Sequence, residues 1–138
     1  MPHVTIEYSA NVADHHDIDH VVGLVHDTVL HMGIASSPAA LRTRAVSREQ
    51  YRVADQGDPH HGFIAITARI GPGRSAETKQ QIIQTVLDAA EDELAERDTP
   101  LLIAWSMEVQ EIDATFRQNR NHIKAAYESA SSTQQGEQ

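Results

Sequence analysis

The residues of this chain best suited to chemistry are a proline at position 2, arginines at 42 and 44, and an arginine at 74 in the run Gly71-Pro72-Gly73-Arg74-Ser75. Met1 precedes Pro2, and methionine aminopeptidases remove an initiator Met when the next residue is small, as proline is. Removal would turn the Pro2 nitrogen into a free secondary amine at the start of a rigid segment. An α-amino group titrates near pH ~8 in model peptides, and apolar surroundings or nearby cations lower that value. Such an amine is neutral enough near physiological pH to act as a general base and, once protonated, as an acid. Arginine complements it, because its planar fork makes paired, charge-assisted hydrogen bonds to carboxylates and can hold charge that builds on oxygen. A Met-Pro start alone is commonplace; the arginines give it weight.

The elements that must hold these residues follow from hydrophobic period. Val4, Ile6 and Tyr8 alternate with His3, Thr5 and Glu7, the period of two of a half-buried strand, and a proline is tolerated where a strand begins. Ser9-Ala10-Asn11 reads as a turn, and Asp14 or Asp17 can cap a helix running to about Met32, with Gly33 as its stop. Ile18, Val21, Val22, Val25, Val29 and Met32 form that helix's buried stripe. Leu41 to Val46 reads as a strand, so Arg42 and Arg44, two apart, leave from one face. Tyr51 to Ala54 reads as a further short strand, followed by a break at Asp55 to Pro59.

Phe63 to Ile70 repeats the strand signal. The glycines at 71 and 73 permit a tight turn, and Ser75 is a good N-cap for a helix reaching about Arg97, with Ile83, Val86, Leu87, Ala90 and Leu94 inward. Leu101 to Val109 closes the series as a strand. The order describes an α/β (α+β) fold of two consecutive βαβ units, about 2–55 and 60–110, each with parallel strands. Side by side they make a four-stranded mixed sheet with both helices on one face. The other face is then bare, and a sheet with one uncovered apolar face must bury it, which predicts association between subunits. A single domain, 1–128, ends in a C-terminal arm, and the polar residues 129–138 are expected to be disordered.

Bulk properties narrow the partners. At 138 residues the chain holds one core, and no apolar run nears the ~20 residues of a membrane span. With no signal peptide and no cysteine, a soluble cytoplasmic protein without disulfides or thiolate metal sites is expected. Twenty acidic against eleven basic side chains, a net charge of −9, argue against nucleic acid. An anion bound here must be met by arginines gathered locally against the overall field.

Met1-Pro2-His3, Arg42-Thr43-Arg44 and Ile70-Gly71-Pro72-Gly73-Arg74-Ser75, in that order and spacing, resemble the 5-carboxymethyl-2-hydroxymuconate isomerase family of the tautomerase superfamily. The resemblance covers roughly Met1 to Lys124, with Gln118-Asn119 and His122 echoing the family's C-terminal segment. It implies a homotrimer and a metal- and cofactor-independent isomerisation of a small carboxylated dienol in homoprotocatechuate catabolism. It assigns Pro2 as the catalytic base once Met1 is gone, Arg42 and Arg74 as active-site arginines, and Arg44 as a companion in substrate binding. The second unit begins near His61-Gly62-Phe63 without a free amine, so one active site per subunit is expected.

Other readings stay open. Dehalogenation or decarboxylation of a short unsaturated acid on the same scaffold would want a carboxylate near the proline, and Glu7 and Glu108 are the acids to consider. A non-catalytic binding protein would follow if Met1 were retained, because an acylated proline nitrogen is no base. Nine histidines invite a metal reading through His16 and His20, or His60 and His61, but no third ligand has recognisable spacing, and solvated surface histidines are the expectation.

Overall fold

The structure, a computed structural model, describes residues 2–136, with side chains described through residue 130. Strand β1 (His3–Ser9) leads through a short 3-10 turn (Ala10–Asp14) to helix α1 (Ile18–His31) and strand β2 (Arg42–Arg48). Strand β3 (His61–Ile70), helix α2 (Ala76–Ala95) and strand β4 (Leu102–Glu111) repeat the pattern, and helix α3 (His122–Gly136) follows. The sheet order is β2-β1-β3-β4. The outer pairs are parallel and the central β1–β3 pair antiparallel, so the two βαβ units join through a mixed sheet as the hydrophobic periods predict.

The core lies between the helices and one sheet face. Val4 and Ile6 of β1, Ile64, Ile66, Ala68 and Ile70 of β3, Val21, Val25 and Val29 of α1, and Ile82, Val86 and Ala90 of α2 are almost completely buried. Each large side chain among them contributes roughly 1.5–3 kcal/mol by leaving water. Asp17, not Asp14, caps α1, its carboxylate accepting from His20 N, and Ser75 caps α2 by accepting from Thr78 N. The inward row of α2 runs through Ile82; Ile83 and Leu87, expected inside, are only half-buried because they lie a residue round from that row.

Four expectations need correction. Tyr51 to Ala54 forms no strand; Tyr51 instead packs edge-on against Phe63, and Ala54 takes a positive φ of 58° that a strand cannot accommodate. The uncovered sheet face is not apolar. The ladder register places Thr5, Glu7, Arg42, Arg44, Arg48, Thr67, Arg69, Ser106 and Glu108 there, with Val46, Phe63, Ala65, Leu102 and Ala104 between them. Residues 129–136, expected to be disordered, continue α3 with no proline to interrupt it; the rest of that tail lies outside the described residues. Finally, His16 is 7% exposed and not a solvated residue. His20 bonds Glu93 across the two helices at 2.6 Å, His60 and His61 both approach the Asp58 carboxylate at 3.7–3.8 Å, and among the described residues no three His, Asp or Glu side chains are placed to hold a metal ion.

The two units repeat at the level of single hydrogen bonds. Arg42 N donates to Pro2 O at 3.3 Å where β2 meets β1, and Leu102 N donates to His60 O at 2.8 Å where β4 meets β3. The equivalent ends face opposite ways because β1 and β3 are antiparallel. At the second end, Asn11 Nδ2 donates to the carbonyls of Pro59 and His61, while Ser9 Oγ donates to Asn11 Oδ1 and accepts from Phe63 N. Gly62 is pressed against this network: a Cβ there would lie 2.9 Å from both Asn11 Oδ1 and Ser9 Oγ.

Candidate active site

Pro2 is almost wholly buried and stands just before β1. The pairing of His3 with Arg69 sets it beside Ile70, where β3 turns through Gly71-Pro72-Gly73 into α2. A pocket of about 220 Å³ opens there, walled by Pro2, by Gly33 to Ser36 after α1, by Ile70 to Pro72, and by Arg74. Of the two glycines in the turn, only Gly73 needs its freedom, with φ at 108°. That turn throws Arg74 back across the pocket, where its Nη2 donates to Ile34 O at 2.6 Å. A guanidinium fixed by one hydrogen bond keeps its other N–H groups for an anion.

Arg42 and Arg44 go elsewhere within the chain. Their strand parity sends both to the uncovered sheet face, with His3 and away from the Pro2 pocket. Arg42 Nη1 donates to Ala40 O at 3.3 Å, and Arg44 Nη1 donates to His3 Nδ1 at 3.3 Å. Because a guanidinium only donates, His3 Nδ1 is an acceptor and a neutral His3 carries its proton on Nε2. Burial, then the charges of Arg44, Arg42, Arg117 and Arg69, hold the His3 pKa below its ordinary 6.5. The chain therefore brings together Pro2 and Arg74, and separately His3, Arg42 and Arg44.

Some residues at the site had no legible signal. The loop after α1 reads only as a loop, yet it supplies the wall opposite the Gly-Pro-Gly turn and the carbonyl that holds Arg74. On the same loop, Ser37 has a buried hydroxyl without a hydrogen-bond partner among the described residues. Asn121 Nδ2 donates to Ala39 O at 3.0 Å and so ties the C-terminal arm to the approach to β2. Glu7 pairs with Arg48 at 3.4 Å and Glu108 is exposed; both stand on the uncovered face, and neither lines the Pro2 pocket.

Paired βαβ units with a proline at the head of β1, facing an arginine on the β3–α2 turn, define an isomerase of the tautomerase superfamily. The model of the 5-carboxymethyl-2-hydroxymuconate isomerase family matches residues 2–127, and the chain belongs to that family. It is 28% identical over 127 residues to 5-carboxymethyl-2-hydroxymuconate Delta-isomerase of Escherichia coli, covering 92% of this chain and 99% of that one. A solved 5-carboxymethyl-2-hydroxymuconate isomerase from Deinococcus radiodurans R1 superposes with a TM-score of 0.74 at 26% identity, over 91% of this chain and 93% of the other. A fused 4-OT wild-type symmetric trimer shares the fold at 15% identity and a TM-score of 0.63, over 86% of this chain and 92% of its own.

Proposed function

We propose that this protein isomerises 5-carboxymethyl-2-hydroxymuconate or a close relative in homoprotocatechuate catabolism, with Pro2 as the proton carrier. The observation that carries this reading is the shared pocket of Pro2 and Arg74, in a chain of this family. Once Met1 is removed, the Pro2 amine takes the proton from the enol oxygen. The electron pair shifts along the diene as the C=O forms, and the same proton is delivered to the distant carbon. Base and acid are thus one group, which works when its pKa lies near operating pH. The burial of Pro2 and the Arg74 charge both push the amine below the ordinary value of ~8. Arg74 holds a carboxylate or the oxygen on which dienolate charge builds. Arg42 and Arg44, facing away within one chain, bind substrate at the same or a neighbouring subunit's site.

A homotrimer in the cytoplasm fits this reading. The polar uncovered face and the exposed Phe116, Leu102, Ile123 and Tyr127, 54–88% accessible, are surfaces for neighbouring copies, and a related fold is known as a trimer. The dehalogenase and decarboxylase alternatives lose ground, because the carboxylates they would want at Pro2 stand on the opposite sheet face.

The test is the rate of dienol ketonisation, followed by loss of ultraviolet absorbance, for the wild type beside Pro2→Ala, with intact mass to establish removal of Met1. Fast decay that collapses in the variant supports the assignment. No acceleration by a folded, Met-processed protein overturns it. Sedimentation equilibrium at three times 15.2 kDa is the expected assembly result.

A further inference from the structure

From Asp113 to Ala130 every side chain is exposed save that of Asn121, which is half-buried. Its amide is engaged at both ends. Nδ2 donates to Ala39 O at 3.0 Å, while Oδ1 accepts from Lys124 N at 3.0 Å and so caps α3. A carbonyl only accepts and a backbone N–H only donates, so each partner admits one end of the amide and its orientation is fixed. Packing does not account for a half-buried asparagine in an exposed arm; its two hydrogen bonds do.

What Asn121 grips is the far end of the loop that walls the Pro2 pocket. Ser37 to Leu41 is a rigid block: Pro38 begins a 3-10 turn, Ala40 N donates to Ser37 O, Leu41 N donates to Pro38 O, and Ala39 and Ala40 are buried. The next residue, Arg42, donates its N–H to Pro2 O and its Nη1 to Ala40 O, so the block is also tied to Pro2. The wall itself, residues 34–36, has no backbone–backbone hydrogen bond among the described residues and hangs between the end of α1 and that block. It is secured from the other side by Arg74 Nη2, which donates to Ile34 O.

We infer that Asn121 is a positioning residue for the reaction: by holding Ala39 it fixes the block, the block fixes the wall, and the Ile34 carbonyl of that wall fixes Arg74 over Pro2. This rests on the function proposed above and adds to it a residue outside the Pro2 pocket, on a part of the chain far in sequence from the wall it holds. Asn121 touches no reacting atom and acts through Arg74. Both of its bonds lie within one chain, so they are made whether or not neighbouring copies cover the arm.

Two variants remove the clamp and keep the cap. Asn121→Asp leaves an oxygen for Lys124 N but sets a carboxylate against the Ala39 carbonyl, and Asn121→Ser still caps α3 but is too short to reach Ala39. Each should lower kcat/KM for the dienol about tenfold in the wild type and by less than about twofold in Arg74→Gln, because effects that run through one group do not add. Ala126→Gly, which weakens α3 without touching the clamp, should change neither. A guanidinium held by the Ile34 carbonyl turns slowly, so nitrogen NMR should separate the two Arg74 Nη signals, identified by their loss in Arg74→Gln. In both Asn121 variants they should merge. Unchanged kcat/KM, an equal loss in both backgrounds, or Nη signals that are merged in the wild type or stay apart in the variants overturns the assignment. If the wild type turns over no dienol but the Nη signals merge in the variants, the proposed activity falls while the tie from Asn121 to Arg74 stands.

Discussion

The Arg74 guanidinium is bound to the carbonyl of Ile34 at 2.6 Å, so the turn that opens α2 and the loop that leaves α1 are joined over Pro2. Each βαβ unit supplies one half of that closure. The bond fixes the guanidinium before any ligand arrives, which lowers the ordering cost of binding.

Arg74→Gln should therefore lower kcat/KM by about a hundredfold or more, in the range found when one donor to a developing oxyanion is removed. Arg74→Lys, which keeps charge but not the fork, should recover only part of it. Thermal unfolding should barely move, because the side chain is largely at the surface. Steady-state kinetics beside a melting curve makes the distinction.

The pH dependence of kcat/KM should rise through a single ionisation below the ordinary α-amino range, as the Pro2 amine loses its proton. Replacing Arg74 by Gln should move that midpoint upward, since a nearby cation disfavours the protonated amine. A midpoint that stays put would show that Arg74 does not act on the amine.

Stability should fall in mild acid because of His16. Burial first, then the charges of Arg97 and His15, hold its pKa below 6.5 in the folded chain. The unfolded chain therefore binds the extra proton as pH drops through about 6.5, so unfolding becomes easier below that value and is indifferent to this group above it. His3, shifted the same way, adds to the effect. Urea midpoints at pH 7.5 and 5.0 should differ less in His16→Gln than in the wild type.

Gly62→Ala should cost about 1–3 kcal/mol by overpacking, because its Cβ meets two polar atoms already engaged with each other. Asn11→Ala should cost a similar amount by leaving two carbonyls without their donor. Urea titration reads both, and activity per folded molecule should be unchanged, since neither residue lines the Pro2 pocket.

Strand order and helix placement were legible because Val4-Ile6, Ile64-Ile66 and the row from Val21 to Val29 carry clean periods. Pro2 and Arg74 stood out by type and by the turn before Arg74. Asn121 did not, because its hold on Ala39 depends on how the chain folds back after β4. The same parity that showed Arg42 and Arg44 to be neighbours also puts them on the face away from Pro2, which spacing within one strand cannot reveal.

The antiparallel joint between β1 and β3 gives the molecule two poles. One holds Pro2 and Arg74; the other holds the Ser9–Asn11–Gly62 lock, about 20 Å away along a seven-residue strand. Where the first pole has Arg42, the second has Leu102. Substitution at the locked pole changes how firmly the chain is folded while leaving the walls of the Pro2 pocket in place, so folding strength and pocket can be altered independently of each other.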